Sequence, residues 1–222
     1  MASTYLNRTF GTATNRKKCT LSVWLKRAIV NNSSYHFFVS SYNSSSDRLG
    51  FYFNTGDTLD VYCPGTNSMH VGTNKVFRDV NSWYHVVFKI DSTQSTASDR
   101  VKIYVNGQQE TSLSNSTYPN QNDDLAFGTS SYNMYIGNYE GSGTLTKTED
   151  NPSNVFCTLN PLQKADTGMS VTYSFGNTKY AGNSSAWQRA YGTIGANAGK
   201  YFYEFKCLNH SGTADTLRVG WD

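Results

Sequence analysis

The four glutamates of this chain stand at Glu110, Glu140, Glu149 and Glu204. Retaining hydrolysis of a glycosidic bond needs two carboxyl groups about 5.5 Å apart, which on one strand means residues two or four apart on a single face. No two of these glutamates have that spacing, so that pair cannot be built on one strand. His36, His70, His85 and His210 show no metal-ligand spacing, and no G-x-S-x-G elbow accompanies them. His85 lies inside an apolar segment and reads as a hydrogen-bonded structural residue. Cys19, Cys63, Cys157 and Cys207 form no C-x-x-C pair, which argues against zinc and dithiol redox motifs and for buried free thiols. Carbohydrate binding fits the remaining residue types better. Ring faces stack on the apolar side of a sugar, and short polar side chains meet its hydroxyls. Trp24, Tyr42, Asn43, Tyr62 and Asn67 are the candidates for such a site.

The elements that must hold them are strands. The 222 residues include 26 Ser, 24 Thr, 22 Asn and 18 Gly beside 16 Tyr and 12 Phe, a usage that favours turns and pleated surfaces over helices. Residues 19–25 (CTLSVWL) alternate with period two, as do 35–40, 49–54, 58–63, 83–90, 101–106 and 132–137, with turn-rich stretches such as NSSSD and NTGD between them. Trp83–Gly107 reads as a hairpin: a strand apolar on both faces and therefore central and covered on both sides, a polar loop at 92–98 open to contact, and an Asn-Gly turn. A net charge of +3 with scattered cations gives no basic stripe, so nucleic acid is not an expected partner. No run of about 18 apolar residues and no apolar leader is seen, and membrane insertion is not expected either.

Alternation lapses between residues 141 and 168 and returns at 169–175, 200–207 and 217–221. The expected organisation is a β domain at 1–142, a linker at 143–165 and a partial second β unit at 166–222. The first domain is expected to need a closing strand after Ile136-Gly137, and the second to continue past Asp222. Open sheet edges of that kind favour pairing with another subunit, so a homo-oligomer is expected.

Thr20–Arg27 (TLSVWLKR), Trp83–Asp91 (WYHVVFKID) and Arg100–Gly107 (RVKIYVNG) resemble the laminin G-like branch of the concanavalin A-like jelly rolls, over residues 1 to about 140. The loop STQSTASDR and the opening MASTYLNRTF are similar to versions found in virion proteins of marine bacteriophages. Gly199–Phe205 (GKYFYEF) and Arg218–Trp221 (RVGW) resemble the start of a SPRY domain. The resemblance implies an all-β jelly-roll sandwich followed by a partial SPRY-like β-sandwich. It also implies a calcium ion held by rim carboxylates in some members, for which Asp57, Asp60, Asp91 and Asp99 are the weak candidates here, without any dense acidic loop. No other cofactor is expected. The function expected is a non-enzymatic virion surface protein (tail fibre, spike or capsid decoration) that binds host glycans or neighbouring virion subunits in host attachment. A polysaccharide depolymerase and a purely architectural assembly protein are the alternatives.

Overall fold

The computed structural model describes residues 5–30, 33–65, 68–137, 139, 153, 156–162, 171–182, 190–195, 198–199 and 202–208. In chain order its strands are β1 (Leu6–Thr9), β2 (Lys18–Lys26), β3 (His36–Ser44), β4 (Asp47–Phe53), β5 (Thr58–Cys63), β6 (Met69–Val76), β7 (Trp83–Asp91), β8 (Val101–Val105), β9 (Gln108–Gln109), β10 (Leu113–Thr117), β11 (Asn133–Ile136), β12 (Val171–Ser174) and β13 (Lys179–Gly182). Among the described residues the only helical element is one 3-10 turn at Ala97–Asp99. Two antiparallel sheets, ordered β1-β11-β3-β4-β5-β6-β10 and β2-β7-β8-β9, make an all-β sandwich of the jelly-roll class.

Alternation decides what each sheet buries. Leu49, Phe51 and Phe53 of β4, Leu59 and Val61 of β5, and Met69 and Val71 of β6 point inward. They meet Val86, Phe88 and Ile90 of β7 and Val101, Ile103 and Val105 of β8, with the Phe51 and Phe88 ring centroids 5.0 Å apart. Each such side chain contributes about 1.5–3 kcal/mol by leaving water. The even-numbered partners on β4 to β6 are thereby turned to the opposite face of the seven-stranded sheet.

Two sequence expectations are revised in part at this level. β7 is central by pairing, between β2 and β8, but only Val86, Phe88, Ile90 and the terminal Asp91 are buried. Lys89 is exposed and His85 and Val87 are partly exposed, so one face of β7 is outward. The loop at 92–98 is clamped at its start and exposed over residues 95–98, so only its second half is open to contact as expected. Ser92 is fully buried and donates to the Asp123 carbonyl at 2.6 Å, while the Arg100 guanidinium donates to the carbonyls of Gln94, Ser95 and Pro119. In the seven-stranded sheet β1 lies on the edge beside β11, and residues 138 and 140–152, where a closing strand after Ile136-Gly137 is expected, lie outside the described residues. The Asn106-Gly107 turn forms as expected, with φ of 50° and 81° as a type I′ turn requires.

Beyond the sandwich, β12 and β13 pair as an antiparallel hairpin. Within the expected linker, Leu159 bridges Gly192 and its N–H donates to the Asn177 carbonyl at 2.8 Å. Asn177, 2% exposed, donates from Nδ2 to the Ala28 carbonyl just past β2, so this stretch is tied to the first domain. Residues 202–208 carry no strand pairing and are exposed. The 217–221 segment lies outside the described residues.

Candidate functional site

Two glycines shape the outward face of the seven-stranded sheet. Gly50 on β4 lies under the Phe37 ring, where an added Cβ would fall 2.4 Å from a ring carbon. Gly72 on β6 stands directly opposite Asp60 on β5, and a Cβ there would fall 2.6 Å from the carboxylate. Without side chains at these points, Phe37 and Asp60 lie flat against the sheet.

Around Gly50 the register builds an aromatic strip. Tyr35, Phe37 and Tyr52 pack at centroid distances of 4.7 to 6.5 Å. Phe37 stacks on Tyr139 at 4.5 Å, and Tyr139 meets the edge of Tyr42 at 5.5 Å. Arg48, opposite Tyr42 on the neighbouring strand, holds its guanidinium 5.0 Å from the Tyr139 ring and 5.8 Å from the Tyr62 ring. The Tyr62 ring in turn sits edge-on to His70 at 5.2 Å.

Around Gly72 the face is polar. Asp60 is fully buried, and its oxygens accept from His70 Nε2 at 2.8 Å, Thr58 Oγ1 at 2.8 Å and Asn54 Nδ2 at 3.2 Å. His70 keeps a side-chain exposure of 29%, so one edge of the imidazole reaches solvent. Burial, and after it the charge of Asp60, pushes the Tyr52 hydroxyl far above its ordinary range, and that phenol stays protonated. The arrangement offers ring faces, a fixed imidazole and a guanidinium on one surface, the combination that stacks on a sugar and hydrogen-bonds its substituents.

The structure brings together two of the five expected sugar-contact residues, Tyr42 and Tyr62, through Arg48 and Tyr139. Trp24 belongs elsewhere: it is 52% exposed on the outward face of the four-stranded sheet, stacked on His85 at 5.0 Å, with the sandwich core between it and the tyrosines. His85 is hydrogen-bonded to Ser22 Oγ at 2.9 Å, a structural role as expected, though at the surface. Asn43 falls in the bulge of β3 and is turned to Tyr132. Asn67 lies outside the described residues.

The four calcium candidates do not converge. Asp57 is held by Arg27 at 2.9 Å and Arg78 at 2.8 Å, and Asp60 by the His70 cluster. Asp91 accepts from Thr93 and Gln94 and faces Lys18 at 3.3 Å, and Asp99 pairs with Lys102 at 3.0 Å. Among the described residues no three His, Cys, Asp or Glu side chains gather as a metal group. Each carboxylate is already occupied by cations or donors that a calcium ion would have to displace.

Sequence reasoning passed over Phe37, Arg48, Tyr52, His70 and Tyr139. The readable signal was the glycine inside a strand, as in MHVGTN at 69–74, which marks close approach by a neighbouring side chain.

No curated protein matches the chain. Residues 2–147, more than half of the sequence, match a laminin G-like family model described as the concanavalin A-like lectin/glucanases superfamily, and the chain belongs to that superfamily.

Proposed function

We propose that the protein is a non-enzymatic carbohydrate-binding module that seats its ligand on the outward face of the seven-stranded sheet. The observation that carries the reading is the strip from Tyr35 through Phe37, Tyr139 and Tyr62 to His70, with the Phe37 ring seated on Gly50 and the Asp60 carboxylate that holds His70 seated on Gly72. Preformed ring faces lose little conformational entropy when a sugar docks on them. The seven strands contain two carboxylates: Asp47 bonds the Tyr132 hydroxyl, and Asp60 is buried under its donors. Neither is placed as an exposed acid beside a partner, so binding without cleavage is the function favoured over depolymerisation.

The setting we propose is the surface of a bacteriophage particle, as a tail fibre, spike or capsid decoration that holds host glycans or adjoining subunits; the wording of the sequence supports this setting. Screening the full chain on a bacterial and algal glycan array tests the binding. Selective capture that drops at least tenfold in Phe37→Ala and Tyr62→Ala, with both variants still folded by circular dichroism, is the expected result. Reducing-end release from a captured polysaccharide, abolished in Asp60→Asn, would replace this reading with the depolymerase. Electron microscopy of the particle would locate the protein.

A further inference from the structure

Resting on the glycan-binding reading above, we infer that the sheet face selects acidic sugars, with Arg48 as the residue that grips a sugar carboxylate. Arg48 occupies the middle of the aromatic strip, between the rings of Tyr62 and Tyr139, and its Nη1 donates to the Ser45 carbonyl at 2.6 Å. That bond and the flanking rings orient the planar guanidinium and leave other N–H groups of its fork for a ligand. No carboxylate pairs with Arg48 among the described residues, whereas Arg16, Arg27 and Arg78 all have one. Asp60, the carboxylate on the same face, is fully buried and turned to His70, Thr58 and Asn54.

Among the described residues the strip therefore carries a positive charge with no exposed carboxylate beside it. A neutral sugar stacked there gains the ring contacts and ordinary hydrogen bonds to its hydroxyls. A uronate stacked there gains them together with a charge-assisted, two-pronged bond whose planar geometry matches the guanidinium. A bond of this kind on a half-exposed surface discriminates by about tenfold to a hundredfold. Arg48 is a specificity-determining residue in this scheme; the rings supply general affinity.

The test is titration calorimetry of the full chain with a polyuronate oligosaccharide, with the same oligosaccharide after its carboxyl groups are reduced to alcohols, and with a sulfated neutral oligosaccharide. The uronate should bind at least tenfold more tightly than its reduced form, and added salt should narrow the gap. Arg48→Gln should erase the difference, lowering the affinity for the uronate at least tenfold more than that for the reduced sugar. Arg48→Lys, which keeps the charge without the fork, should keep only part of it. Equal binding of the acidic and reduced forms by the native protein, or discrimination that survives in Arg48→Gln, overturns the assignment of Arg48 and leaves glycan binding standing. A preference for the sulfated sugar over the uronate overturns the carboxylate assignment. Binding of none of the three overturns this inference, and an empty glycan array would be needed to overturn the binding reading itself.

Discussion

Asp57 and Asp60 are three residues apart and both almost fully buried, yet the molecule uses them in opposite ways. Asp57, at φ 63° in the turn before β5, is neutralised by two guanidinium groups. Arg27 is itself 4% exposed, donates to the carbonyls of Phe77 and Ile29, and lies 4.1 Å from the centre of the Phe53 ring. Burial lowers the affinity of that guanidinium for its proton, and the bond to Asp57 raises it again. This cluster ties the ends of β2, β4 and β6 together, with Arg27 and Asp57 shut away from solvent and only Arg78 reaching it. Asp60 meets no guanidinium among the described residues. Its partners are neutral donors and an imidazole that stays partly open, so it fixes His70 on a surface. One aspartate closes the sandwich, and the other prepares a face.

The largest effect should come from breaking the closed cluster. Arg27→Ala strands Asp57 with only the partly exposed Arg78, and should cost about 3–5 kcal/mol in urea denaturation while glycan affinity changes little in the molecules that remain folded. Gly72→Ala should follow. The new Cβ meets the Asp60 carboxylate, so a loss of about 1–3 kcal/mol is expected together with weakened glycan capture, because Asp60 can no longer hold His70 in place. Asp60→Asn keeps the shape but replaces a charged acceptor with an amide, and should cost about 1–2 kcal/mol with a measurable fall in glycan affinity. A loss as large as that of Arg27→Ala would show that the two aspartates are structural equivalents and would end the contrast.

The smallest effect is a pH dependence near the closed cluster. His36 has a buried Nε2 with no hydrogen-bond partner among the described residues. Burial first, and the nearby charge of Arg27 second, hold its imidazole below the ordinary value of 6.5, with Asp57 opposing. The folded state therefore binds a proton less readily than the unfolded chain. The stability this contributes is present above pH 6.5 and is lost as the pH falls below it. Unfolding free energies measured between pH 7.5 and 5 should decline on the acid side, and His36→Phe should flatten that part of the slope.

Much of the sandwich could be read along the chain because alternation is local. Segments 49–54, 58–63 and 101–106 carry Phe51, Val61 and Ile103 at the period a strand needs, and they form β4, β5 and β8 within a residue or two. β6 and β10 escaped notice because MHVGTNKV and LSNST are too polar to show the pattern; their pairing comes from neighbours. The same lack explains the partial reading of the site. Tyr42 and Tyr62 were visible as aromatic residues beside polar ones, whereas Trp24, chosen by the same rule, lies on the other sheet.

From the residues alone came the all-β class, the strands that build the core, the Asn106-Gly107 turn and the absence of a glutamate pair on one strand, since each depends on spacing along the chain or on composition. Which aromatic rings share a face was decided by the tertiary structure. Register across β3, β4 and β5 sets Tyr42 opposite Arg48 and Gly50 opposite Tyr62, and a slip of one residue in a strand would send its Tyr42, Arg48 or Tyr62 side chain to the core. The pairing of Asp60 with His70 likewise follows from Gly72 standing opposite Asp60 on the neighbouring strand. Alternation within a strand is a property of its own residues, and a site on a sheet is a property of the register between strands.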